Sequence, residues 1–213
     1  MRLTRIQRLL AELYDLRPEL DVERFVCGPE IVRATVGEAT AERGEVLLVF
    51  EDDEGLHVAL YLDPDVLEAL REGAPDFRAQ CLATEGVSHF LYLTFRADND
   101  EQVTQLELEL QAEVDKYAMG MAGAEDLAGN GVGAIRARSR ALRERLFHSA
   151  RYLDDASSAE GERYRIANDA AARYAAALEA RYVETGRLSE LWVELRRFYR
   201  MGARQKLERA RSG

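Results

Sequence analysis

Every strand-like run in this chain lies before residue 97, and the pivot is the stretch from Gly86 to Met121, GVSHFLYLTFRADNDEQVTQLELELQAEVDKYAMGM. Its first part, Ser88 to Arg96, reads as a strand carrying Phe90, Leu91, Tyr92, Leu93 and Phe95. Asp98, Asn99 and Asp100 then offer a helix N-cap, and Glu101 suits the positive end of the helix dipole. Val103, Leu106, Leu110, Val114, Tyr117 and Met121 follow on one helical stripe, with Glu107, Glu109, Glu113 and Asp115 on or beside the polar side. A last strand that leads into the first long helix of a helical remainder sets the fold class as α+β.

The residues before this pivot supply the rest of a small sheet. Leu3, Ile6, Leu9, Leu10, Leu13 and Leu16 predict an amphipathic helix that stops at Arg17-Pro18, because a residue before proline avoids the α region. Around Ile31 to Val36 a short strand or helix fits. The segment 45–63, EVLLVFEDDEGLHVALYLD, predicts a hairpin whose turn contains Gly55. Apolar residues occur on both faces of these runs, which predicts cover on both sides. Asp63-Pro64 marks a helix start, cap followed by first-turn proline, and Gly73-Ala74-Pro75 marks its end. The expected architecture is a small antiparallel sheet, hairpin 45–63 plus strand 88–96, packed by helices and followed by a helical C-terminal half.

Five glycines between Gly120 and Gly133 mark a Gly-rich linker, 120–133. It separates an α+β half, 1–121, from a helical half, 134–213. Three helical stretches are expected after it: Ile135, Leu142, Leu146 and Leu153; Tyr164, Ala167, Ala171, Tyr174, Leu178 and Tyr182; and Leu188, Leu191, Trp192, Leu195, Tyr199, Ala203 and Leu207. Short connections make antiparallel neighbours of them, and the alanines of the second suit close packing.

Composition narrows function mainly by exclusion. A formal charge of -10 over 213 residues argues against a generally nucleic-acid-binding surface, which needs clustered Lys and Arg. Two cysteines, Cys27 and Cys81, form no close pair, so a reducing cytoplasm is expected rather than a disulfide framework. No apolar run approaches the roughly 18 to 20 residues of a membrane span. The N-terminus has no continuous apolar core of a signal peptide.

The candidate chemistry is sparse. Glu85, Ser88 and His89 bring an acid, a hydroxyl and an imidazole together at the strand entrance, the residue types of acyl transfer. On a strand Ser88 and His89 would point to opposite faces, and the chain has no G-x-S-x-G elbow. His57, His89, Cys27 and Cys81 lack the short paired spacing of a zinc site. Glu144 and His148 lie four apart on one helix, where an ordinary ion pair is expected, and Glu109 with Glu113 reads as a face that meets solvent or the arginines of later helices. Gly129 to Gly133 precedes a helix, yet no strand precedes it and no Walker lysine is present. No cofactor and no metal is expected.

The strongest charge asymmetry is at the end, where Arg196, Arg197, Arg200, Arg204 and Lys206 form a basic run interleaved with aromatic residues. These are the candidates for an anionic partner. The sequence-level reading is a non-enzymatic protein-interaction or regulatory module in the cytoplasm, a homo-oligomer or the binder of a protein partner. The alternatives are a small hydrolase or transferase built on Glu85, Ser88 and His89, and, less favoured, nucleic-acid binding through the basic C-terminal helix.

Overall fold

The structure, a computed structural model, describes residues 2–38, 42, 44–53, 55–122, 131–149 and 158–212. The chain forms two compact units, one of Met1–Glu12 and Leu16–Glu101, the other of Leu13–Asp15 and Gln102–Gly213. The expected Gly-rich linker falls mostly on 123–130, outside the described residues, as does Leu153.

Helix α1 (Leu3–Tyr14) starts in the first unit; of the predicted stripe Leu3, Ile6 and Leu10 are buried and Leu9, Leu13 and Leu16 half-buried, while Tyr14, outside that stripe, is buried as well. The helix ends before Arg17-Pro18. Asp15 takes φ +54 and Leu16 N–H bonds back to Ala11 O at 2.8 Å, a left-handed terminus made without glycine. The Gln7 side chain then fixes the following turn, donating to Leu20 O at 2.6 Å and accepting from Val22 N–H at 3.1 Å. A short 3-10 turn (Val22–Phe25), capped by Asp21, leads into β1 (Val26–Cys27), and α2 (Pro29–Val36) starts on Pro29.

The hairpin forms where predicted, as β2 (Glu45–Asp52) and β3 (Gly55–Leu62), with register from Glu45 opposite Leu62 to Asp52 opposite Gly55. Gly55 holds φ +124, a value side-chain-bearing residues rarely adopt. On one face Val46, Leu48, Tyr61 and Cys27 pack with Val32 of α2. Asp63 caps α3 (Pro64–Glu72) by accepting from Asp65 N–H at 2.8 Å, and Gly73, φ +78, closes it, both as the sequence indicates.

The expected strand 88–96 is not a strand. It is the C-terminal half of α4 (Phe77–Ala97), a 21-residue helix capped by Asp76. All residues from Gly86 to Leu93 are buried, so this part of the helix has no polar side to reveal a 3.6-residue period, and its aromatic run imitates a strand. The third strand of the sheet is instead β1, which pairs in parallel with β3 through Val26–Leu60 and Cys27–Tyr61, giving the order β1-β3-β2. The sheet is therefore small and mixed rather than antiparallel. Helix α4 crosses it at Gly86, where a Cβ would lie 2.9 Å from Leu60 Cδ1 and 3.2 Å from Glu45 Cγ.

The cap assigned to Asp98–Asp100 also moves. Those residues close α4, with Asp100 at φ +53 and Arg96 paired to Glu101 at 2.6 Å, whereas Thr104 caps α5 (Gln105–Met121) by accepting from Glu107 N–H. In the second unit α5 is joined by α6 (Val132–Arg143), α7 (Ala159–Leu178), α8 (Leu188–Tyr199) and α9 (Ala203–Arg211). A single π turn extends α6 over Glu144–His148 and another extends α7 over Glu179–Val183. Ala167, Ala170, Ala171 and Ala175 are buried where α7 packs on α5, the close approach that small side chains permit. The last predicted stripe is two helices rather than one, because Gly202 at φ -78, ψ 169 leaves the helical region and caps α9. No helix among the described residues is long and apolar enough to cross a membrane.

Candidate functional site

Three places carry the polar or exposed groups from which a function could be built. In the first unit, α4 brings Glu85 and His89 onto one face, four residues apart, with Ser88 beside them. Helical geometry replaces the strand geometry that would have turned Ser88 and His89 to opposite faces. The partner that sequence spacing could not show is Glu45, the first residue of β2, whose Oε1 lies 3.3 Å from His89 Nδ1. Gly86, one turn before His89, allows Glu45 this close to the helix. Ser88 is 1% exposed and His89 6%, so these two are enclosed, while Glu85 is half-buried. Such an arrangement holds an imidazole in a fixed orientation, and acyl transfer additionally requires access for a substrate.

The two cysteines, the other two histidines and the remaining acidic candidates take the following positions. Cys27 lies in β1 and Cys81 in the second turn of α4, both as free thiols. Burial raises the Cys27 thiol above its ordinary pKa, which disfavours the thiolate a metal needs. His57 sits near the hairpin turn, 3.0 Å from Asp52. Glu144 and His148 form an exposed pair at 3.8 Å. Glu107 and Glu109 are buried rather than solvated, and Glu113 meets Lys116 at 2.7 Å. Of the glycine-rich stretch, Gly131 is described at φ +83 and offers α6 no side-chain cap.

The basic C-terminal run divides between surface and core. Arg196 donates from Nε to Leu13 O at 2.7 Å, and Arg200 donates from Nη2 to Tyr14 O at 2.9 Å and Asp15 O at 3.4 Å. Two of the arginines read as anion binders thus serve the carbonyl end of α1, where cations oppose the helix dipole favourably. Arg204 points outward and pairs with Glu208 at 2.8 Å, and Arg197 is exposed.

Lys206 is fully buried. Its Nζ donates to Gln111 Oε1 at 2.7 Å and lies 5.5 Å from the Phe198 ring centre. Gln111 Nε2 continues the chain to Asp115 Oδ1 at 2.7 Å, and the Tyr14 hydroxyl donates to the same oxygen. Burial and the adjoining Asp115 carboxylate hold Tyr14 well above the ordinary tyrosine pKa, so it keeps the proton it donates to Asp115 while its oxygen accepts from Gln111 Nε2 at 3.4 Å. Two further groups of this kind occupy the unit: Tyr117 with Ser139, Glu179 and Arg143, and Tyr174 with Glu194 and Arg209. Burial pushes Tyr117 up to about 12 and raises Tyr174 as well. Lys206 was legible as unusual only in that the chain has two lysines among 29 basic residues.

The third place is the free end of the hairpin. Helix cover reaches the base of the sheet and stops, so Val49 is 47% exposed, Phe50 63% and Leu56 40%. Val49 and Leu56 lie on one face and Phe50 on the other, its ring centre 6.0 Å from that of His57. Glu51, Asp52 and Asp53 border them. Among the described residues β2 has no neighbouring strand on its outer side. The expectation of cover on both faces therefore holds at the base of the hairpin and not at its end. No protein family, no curated protein and no solved structure matches this chain.

Proposed function

We propose that this chain is a non-enzymatic protein-interaction module that uses the free end of the β2–β3 hairpin as its contact surface. The observation that carries this reading is the grouping of Val49, Phe50 and Leu56, apolar and exposed, around the turn of a strand with an open edge. Exposed apolar side chains on both faces of a hairpin end, beside an edge with no neighbouring strand among the described residues, favour a binding surface, because such an edge invites pairing. The enclosed positions of Ser88 and His89 weigh against the hydrolase or transferase alternative, and the use of Arg196, Arg200 and Lys206 inside the second unit weighs against a nucleic-acid surface. Two free cysteines fit work in a reducing cytoplasm.

A photo-crosslinking residue, benzoylphenylalanine, placed at position 50 in cells tests the reading, with the outward-pointing position 204 as control. A discrete adduct from position 50, to a second copy or to another protein, and none of the same mass from position 204, is expected. No adduct at position 50, or the same adducts from both positions, overturns it.

A further inference from the structure

We infer that the outer edge of β2 accepts an extended, apolar segment bearing Lys or Arg, which joins the sheet as an added strand; this rests on the hairpin end being the contact surface. In an antiparallel pair every second residue turns its N–H and C=O away from its neighbour, so the β2–β3 pairing leaves β2 a row of backbone groups facing outward. Native edges are usually protected by Lys, Pro, a bulge or short length. β2 has neither Lys nor Pro, its eight residues pair with β3 in unbroken register, and its middle, Val46 to Phe50, is wholly apolar. Main-chain pairing would supply affinity, and the side chains would choose the partner.

The charges choose a cation. Glu51 and Asp53 lie at the exposed end on either side of Asp52, which meets His57 at 3.0 Å, and no Lys or Arg occurs between positions 45 and 63. A second copy is the obvious competitor and is the poorer fit. Two β2 strands that pair the run Val46–Phe50 with itself, antiparallel about Leu48, set Glu45 of each copy opposite Glu51 of the other. Like charges directly opposite destabilise a pair of strands. A segment with an apolar middle and a Lys or Arg opposite Glu51 keeps the backbone bonds and turns that repulsion into attraction.

The test uses the full chain and a fluorescent Lys-Val repeat octapeptide, with two controls. One is the Glu-Val repeat; the other is the Lys-Val peptide N-methylated at alternate residues, which keeps its charge and cannot complete a strand. The Lys-Val peptide is expected to bind about tenfold or more tighter than either control, weakening with salt, and to slow amide exchange within Val46–Phe50. The double substitution Glu51→Lys, Asp53→Lys is expected to weaken it about fivefold or more. Equal binding of the charged and N-methylated peptides, or protection of amides elsewhere, overturns the proposal. So does a dimer in which the β2 amides are protected without peptide, since a second copy then holds the edge. Adducts from position 50 together with a failed Lys-Val peptide would leave the contact surface standing and remove only this partner chemistry.

Discussion

Lys206 Nζ and Gln111 Oε1 lie 2.7 Å apart with both side chains fully buried, and Gln111 passes the contact on to Asp115. A buried ammonium is tolerable only when its hydrogen bonds are made and a compensating charge is near. Lys206→Met removes the cation while keeping the side-chain length, and leaves Gln111 Oε1 without this donor. It is expected to lower stability by about 3 kcal/mol in urea unfolding followed by circular dichroism. Lys206→Met combined with Asp115→Asn is expected to lose less than the sum of the two single losses, by about 1–2 kcal/mol. Losses that add would show that the lysine and the carboxylate are not coupled.

Gly86 marks where α4 meets the sheet. Alanine there gains about 1 kcal/mol of helix propensity, but its Cβ would sit 2.9 Å from Leu60 Cδ1 and 3.3 Å from Glu45 Oε1. Leu60 is fully buried and has little room to yield, so overpacking of about 1–3 kcal/mol outweighs the gain. Gly86→Ala is expected to lower the thermal midpoint. An unchanged or higher midpoint would mean that the helix can lift from the strand.

How far the sequence could be read follows from how much of each element meets water. The hairpin and α3 were legible because turns and caps act locally: Gly55, the Asp63-Pro64 start and the Gly73 stop each sit where backbone geometry requires them. The stretch 88–96 was misread because burial on all sides erased the polar phase that distinguishes a helix from a strand. Length was the better guide, since the helix begins at an Asp76 cap far upstream. At the candidate site, Glu85, Ser88 and His89 were visible through local spacing, whereas Glu45 is 44 residues from His89 and only the fold brings it there. Lys206 was misplaced with the surface arginines for a related reason: the turn at Gly202 resets the helical phase, so a stripe counted through it no longer names the outer face.

Alkali should open the helical unit through its tyrosines. Tyr117 is held at about 12 by burial, against an ordinary value near 10, and Tyr14 and Tyr174 are also raised. Above pH 10 the unfolded chain releases phenolic protons that the folded chain retains. Stability is therefore full below pH 10 and falls as pH rises towards 12 and beyond, by about 2–3 kcal/mol for Tyr117 alone. Phenolate absorbance and loss of helical circular dichroism should rise together above pH 10. Tyr117→Phe should make that loss shallower. Phenolate signal from all three tyrosines at an unchanged helical spectrum would contradict the cause given.

Arg200 and Arg197 lie three residues apart on α8 and its end, yet their roles diverge. Both are exposed, but Arg200 donates to Tyr14 O and Asp15 O, carbonyls left open at the end of α1. A cation at a helix C-terminus gains from the dipole as well as from the bonds themselves. Arg200→Ala is expected to lower stability by about 1–2 kcal/mol, and Arg197→Ala by no more than about 0.5 kcal/mol. Arg200→Lys should restore only part of the loss, because one ammonium replaces a guanidinium that bonds Tyr14 O and Asp15 O through Nη2 and Arg196 O through Nη1. Chemical unfolding of the three variants at one salt concentration decides the matter. Equal effects at positions 197 and 200 would return Arg200 to the surface run and reopen the case for an anionic partner there.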